Sequence, residues 1–191
     1  MRKLLIALLA YSCLASSTSA KTIDLRNQTD ADGALREISF CARPSPDKAE
    51  LPGHAFVSFS IRKKDGTRAF RAIGHTVFSV VDALISYSGL IPASGALIDE
   101  RYTAIKQECL TLQVNQSDYE ASYALAAQPL LAVGIKFDEK LPIQKAYTLG
   151  AEDCVGFVIG QTKRYAQKVV VPKRTTNELP LPYIRRLIDA N

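Results

Sequence analysis

Alternation is clearest between His54 and Ile61, where aromatic and β-branched residues form a strand pattern. A period of two puts His54, Phe56, Ser58 and Ser60 on one face and Ala55, Val57, Phe59 and Ile61 on the other. Asp65-Gly66 then supplies a hairpin turn, and Arg68 to Ile73 a returning strand. Upstream, residues 21–35 are polar and suit a loose lead-in, and 36–42 resemble a short strand. Pro44, Pro46 and Pro52-Gly53 mark a loop after it. Downstream, Val77 to Ser88 fits helix or strand, and the helical reading is taken for Ser79–Tyr87. Leu97–Tyr102 and Gln107–Val114 suit strands, the second with Leu110, Leu112 and Val114 on one face. Ser117, with Glu120 three residues later, predicts a capped helix carrying Tyr119, Tyr123, Ala126 and Ala127.

Residues 131–149 suit a connection containing Pro142, with a short extended piece at Ala146–Leu149. A helix follows over about Asp153–Lys168, with Val155, Phe157, Val158 and Tyr165 as its apolar face. Lys163, Arg164 and Lys168 fall late in it, where the helix dipole favours cations. Val169–Val171 suits a strand before Pro172, and Tyr183–Asp189 a closing helix. There are no internal repeats and no low-complexity tracts. Strands, helix, strands, helix, loop, helix predict an α+β fold, an antiparallel sheet packed against the Cys154 helix.

The N-terminus carries a secretory pattern. Arg2 and Lys3 precede a short apolar run to Leu14, and Thr18 and Ala20 fall at the specificity positions of a small-residue cleavage region. The expectation is a signal peptide over 1–20, a single domain over 21–191, and a secreted or periplasmic product. A lipid anchor on Cys13 fits less well, because bulky Tyr11 precedes it. No later stretch approaches the roughly 20 apolar residues of a membrane-spanning helix. Without Arg2 and Lys3 the formal charge falls from +5 to +3 and is spread along the chain. With no Trp and no interleaving of aromatic and basic residues, the composition argues against a nucleic-acid partner.

Three cysteines lie outside the leader: Cys41, Cys109 and Cys154. They allow three single disulfides. Cys41 and Cys109 fall on expected strands that could meet in one sheet, and that pairing leaves Cys154 free. Cys154 is then a small core residue or a nucleophile at a helix start, where the N-terminus stabilises a thiolate and backbone N–H groups can face an oxyanion. Gly156 in the same turn suggests close approach by a strand or a substrate. A thiol nucleophile needs a base. The chain holds two histidines, His54 opening its strand and His75 ending the returning one. Such residues are more often structural than catalytic, yet an unpaired cysteine favours His54 as its partner. No metal-ligand spacing, Gly-rich phosphate loop or Gly-x-Ser-x-Gly elbow is present, so no cofactor and no metal are expected. Asp99-Glu100-Arg101 suits a solvated charge cluster.

Asp153-Cys154-Val155-Gly156-Phe157 resembles the Asp-Cys-x-Gly-Phe/Leu motif at the nucleophile helix of NlpC-type, papain-like cysteine peptidases. In their usual order the histidine follows the cysteine, whereas none of the 37 residues after Cys154 is a histidine. His-then-Cys is instead similar to the circularly permuted branch, which includes lecithin retinol acyltransferase-like proteins and many secreted bacterial proteins. Pro52-Gly53-His54-Ala55-Phe56-Val57 resembles its Gly-His-Ala-aromatic strand, and Tyr147-Thr-Leu-Gly-Ala-Glu-Asp-Cys154 its approach to the nucleophile. Residues 112–119, followed by an Ala-rich helix, and 181–187 resemble its middle segment and closing helix. Together these segments span most of 50–191. Asp153 departs from the pattern, since many permuted members have Asn there.

The resemblance implies a permuted papain-like fold, Cys154 as nucleophile and His54 as base. It also implies a third polar residue that steadies His54. The strand Arg68–Gly74 offers no Asn, Asp or Gln, which leaves His75, with Ser58 or Ser60 behind it. The implied activity is hydrolysis of an amide through an acyl-enzyme, a cell-wall peptide being one such substrate. Thiol acyl transfer or ester hydrolysis is an alternative, as is a non-catalytic binding module on the same fold.

Overall fold

A computed structural model describes residues 20–46, 53–77, 79–88, 91–100, 102–127, 143–144 and 146–191. Most of the leader, Cys13, Pro52 and the connection through Pro142 lie outside the described residues. The central element is a sheet of order β1-β6-β2-β3-β4-β5-β7. Its strands are β1 (Ala20–Asp24), β2 (Leu35–Arg43), β3 (His54–Arg62), β4 (Arg68–Val77), β5 (Gly95–Asp99), β6 (Glu108–Val114) and the two-residue β7 (Ile143–Gln144). Every neighbouring pair is antiparallel except β1 and β6. The helices are α1 (Val80–Ser88), α2 (Gln116–Ala127), α3 (Cys154–Thr162) and α4 (Pro180–Asp189). This is the expected α+β architecture, and α3 packs on β3 and β4.

The alternation read from the chain builds the core. Ala55, Val57 and Phe59 of β3 join Ile38, Phe40 and Ala42 of β2 and Leu110, Leu112 and Val114 of β6. Val155, Phe157 and Val158 of α3 and Tyr183, Ile184, Leu187 and Ile188 of α4 close over them. The buried positions of α4 recur at helical spacing, and a proline stands in its first turn, where a missing N–H costs no intrahelical bond. Asp65-Gly66 makes the β3–β4 turn. Gly66 takes φ 84°, and Asp65 Oδ1 accepts from the Thr67 N–H at 2.8 Å. The opposite face of β3 is different: Phe56 packs with Cys41 and Ala72 in a smaller cluster.

Several local expectations change. The lead-in contains β1, held by backbone bonds to the outer edge of β6. Such pairing leaves no periodic trace when the side chains are mostly exposed. Ser117 lies inside α2; the first N–H of that helix instead donates to Asp30 Oδ1 at 3.1 Å, 86 residues away in sequence. β5 ends at Asp99. α3 ends at Thr162 and tightens into a 3-10 turn over Lys163–Tyr165. Residues 169–171 are not a strand; the backbone of Val170 is tied to the side chain of Asn191.

Cys41 and Cys109 are direct partners across β2 and β6 and form the disulfide, while Cys154 is the free cysteine. The bond closes a loop of 68 residues. Chain-entropy estimates for that length give about 4 kcal/mol. The Cys41→Ala/Cys109→Ala variant is therefore expected to lose roughly 2–4 kcal/mol in urea unfolding. Intact-mass thiol counting on the oxidised protein, denatured without reductant, should find Cys154 labelled and Cys41 and Cys109 protected.

Candidate active site around Cys154

The helix start is built around one carboxylate. Asp153 caps α3: its Oδ1 accepts the Gly156 N–H at 2.9 Å, as a residue with extended backbone can at that position. Oδ2 accepts the Gly150 N–H at 2.7 Å, and Arg174 pairs with Oδ1 at 2.8 Å. The Asp153 side chain is 1% exposed. Gly150 takes φ 85°, a left-handed turn that brings its N–H to the carboxylate. Gly156 answers a backbone approach rather than a substrate: a side chain there would overlap the carbonyl oxygen of Ala151.

Cys154 is therefore the first residue of α3, as expected, and it is 5% exposed. Its thiol meets the backbone N–H of Ala55 and the hydroxyl of Tyr147. Burial, and then the charge of Asp153, push the thiol up to about 11, although Ala55, Tyr147 and Arg174 pull the other way. Burial and the nearby sulfur likewise hold the Tyr147 phenol far above its ordinary value, so Tyr147 stays a neutral donor. Two backbone bonds fix it in place, Ala93 N–H to Tyr147 O at 2.8 Å and Tyr147 N–H to Ala93 O at 2.9 Å. Next to it, Ser86 of α1 accepts the Leu149 N–H at 2.9 Å. The segment before Cys154 thus forms a strap across the thiol.

The two histidines fall on opposite faces of the sheet. Phe56 pairs with Gly74 across β3 and β4, and the His54 ring lies over Gly74, where a methyl would overlap Nε2. His75, one residue on, turns to the helix side beside Leu97. It is fully buried, and its ring meets that of Tyr147 edge-on with centroids 5.0 Å apart. The structure does not bring His75 to His54, which it was expected to steady: alternation along β4 sends His75 to the side of Tyr147 and Cys154. Ser58 and Ser60 share the His54 face further along β3, where Ser60 donates to Glu37.

The group against His54 is Glu100. Its side chain is 3% exposed, and Oε2 lies 3.5 Å from His54 Nε2. Oε1 accepts from Arg43 Nε at 3.1 Å and from the Tyr102 N–H at 2.8 Å. This corrects the solvated reading of the Asp99-Glu100-Arg101 cluster: Asp99 is open to water, and Glu100 is buried by its partners. Burial brings His54 down to about 4; Glu100 opposes the shift and Arg43 reinforces it. At neutral pH the site therefore holds a neutral thiol and a neutral imidazole. Among the described residues no group of His, Cys, Asp or Glu is arranged to hold a metal.

Comparison with protein-family models, curated proteins and solved structures finds no match to this chain. No helix among the described residues is long and apolar enough to cross a membrane.

The depressed titration of His54 has a sign. The unfolded chain takes up its proton near 6.5 and the folded one only near 4, so the contribution of His54 to stability is complete above 6.5 and is lost as pH falls toward 4. Urea midpoints of wild type should fall more steeply across that window than those of His54→Gln. Gly74→Ala should destabilise the fold by at least about 1 kcal/mol, or move the His54 ring and shift its NMR titration.

Proposed function

We propose that the protein is a thiol hydrolase of permuted papain-like fold, secreted, that cleaves an amide through an acyl-enzyme on Cys154. The observation that carries the reading is the free cysteine at the first position of α3, a helix packed on the strand that His54 opens. Glu100 occupies the Nε2 side of His54, which leaves Nδ1 as the nitrogen for the thiol proton. In the first half-reaction that proton passes to His54 as sulfur attacks the carbonyl carbon. The carbonyl electron pair moves to oxygen, then returns to expel the amine, which takes the proton from His54. Water, deprotonated by His54, then attacks the thioester, and the thiol is restored.

The Cys154 N–H at the helix start and the Tyr147 hydroxyl are the donors for the oxyanion; the Gly156 N–H is already taken by Asp153. With Cys154 buried, a substrate carbonyl reaches the thiol only after the strap bearing Tyr147 shifts. That shift also admits water, which relieves the burial that holds thiol and imidazole neutral. A peptide of the cell wall fits a secreted amide hydrolase, and an ester or acyl donor would follow the same steps.

A second reading, a binding module with an inert thiol, is favoured by the burial of Cys154 and its raised titration. One experiment separates the two. The folded protein is incubated with a panel of activated p-nitrophenyl esters and anilides and followed by intact mass. An acyl adduct on Cys154 that turns over in wild type, is absent in Cys154→Ala and forms about 10²–10⁴-fold more slowly in His54→Ala supports the hydrolase. No adduct in the native protein, with normal labelling after denaturation, leaves the binding module.

A further inference from the structure

Glu100 divides its two oxygens between two different partners. Oε1 serves Arg43 and the Tyr102 N–H, and Oε2 faces His54. Arg43 and His54 are themselves direct cross-strand partners on β2 and β3, so one carboxylate spans a cation and an imidazole on the same face. The Arg43 side chain is 7% exposed. Its guanidinium also donates to the Pro44 carbonyl at 3.1 Å and lies 4.7 Å from the centre of the Tyr102 ring. Glu100 is held from its backbone as well, its N–H bonded to the Ala72 carbonyl at 2.8 Å. Neutralising Arg43 alone would not require the second oxygen to face an imidazole. Nor would it require a glycine at position 74, under that ring.

We propose that Arg43 and Glu100 act as a positioning pair for His54, with Glu100 selecting the Nε2–H tautomer and Arg43 offsetting the carboxylate charge so that the imidazole stays neutral. A lone buried carboxylate beside a histidine favours the imidazolium, which cannot accept a proton. A carboxylate already paired with arginine orients the ring at a smaller gain in its proton affinity. The other groups that bear on His54 are His75 from β4 and Asp153 before α3; the first opposes its charge and the second favours it. Beyond Ala55 stand Cys154 and Tyr147, both neutral at ordinary pH. The catalytic meaning of the pair rests on His54 as the base of Cys154. Its electrostatic meaning does not.

The test is a ¹⁵N-histidine NMR titration of the full, disulfide-bonded protein. The chain has two histidines, and the His75→Gln variant assigns them. Wild-type His54 is expected as the Nε2–H tautomer at neutral pH, titrating below a free histidine. Arg43→Gln should raise its midpoint by about one pH unit, and Arg43→Lys should largely restore it. Glu100→Ala should lower the midpoint and abolish the tautomer preference. An Nδ1–H tautomer in wild type overturns the proposal without any variant. So does an unchanged midpoint in a folded Arg43→Gln protein, or a retained Nε2–H form in Glu100→Ala. Normal shifts with no acyl adduct on Cys154 would uphold the pair and remove the hydrolase reading; the reverse result would do the opposite.

Discussion

The carboxylate of Asp153 ties together three separate parts of the chain at the point where α3 begins. It caps the helix through Gly156, closes the turn at Gly150 and receives Arg174 from the C-terminal segment. A charge that is 1% exposed is tolerated only because every one of these donors is in place. The position of Cys154, the next residue, follows from that arrangement. Its side chain is carried against β3, and Tyr147, on the strap that enters the same turn, is carried over it. Asp153 also shapes the chemistry of the thiol. A negative charge one residue away works against a thiolate, in opposition to the helix dipole, and burial works in the same direction.

β3 is the second organising element, because it is central and carries a different environment on each face. On the helix side its small and branched residues make the main core, to which α3 brings Cys154. On the other side His54 opens a polar cluster with Arg43 and Glu100, beside the disulfide-linked Cys41. Cys154 thus meets β3 on the helix side, and His54 opens the same strand on the opposite face. In the described form the thiol and the imidazole are both buried, and solvation of the site would raise the affinity of His54 for a proton and lower that of the thiol together.

The helical start near Cys154, the strand start at His54 and the β3–β4 hairpin were legible because each rests on local rules: an apolar face at helical spacing, an alternating run, an Asp-Gly turn. The parity of three cysteines, two of them on strands, pointed to Cys41 and Cys109. Glu100 was not legible. It stands next to Asp99 in one charged triplet, and nothing in composition distinguishes them. Asp99 points to water beside Arg71, and Glu100 turns to the other face, toward an arginine 57 residues earlier. The one signal was Gly74, whose missing side chain makes room for a ring from the neighbouring strand. The role expected of His75 could not be tested from sequence for a related reason: a shift of one residue in the returning strand exchanges the faces of all its side chains, and the turn alone does not establish the register.

By itself the sequence determined most of the elements and the residue types at their ends: an α+β order, a cysteine opening a helix, a histidine opening a strand and two further cysteines on strands. These depend on interactions within a few residues, or on pairing rules that survive without knowledge of distance. Only the tertiary structure decided which side of the sheet each histidine faces, that Glu100 is buried against His54 and Arg43, and that the thiol is covered. Those outcomes depend on strand register and on desolvation, and both are properties of segments brought together from far along the chain.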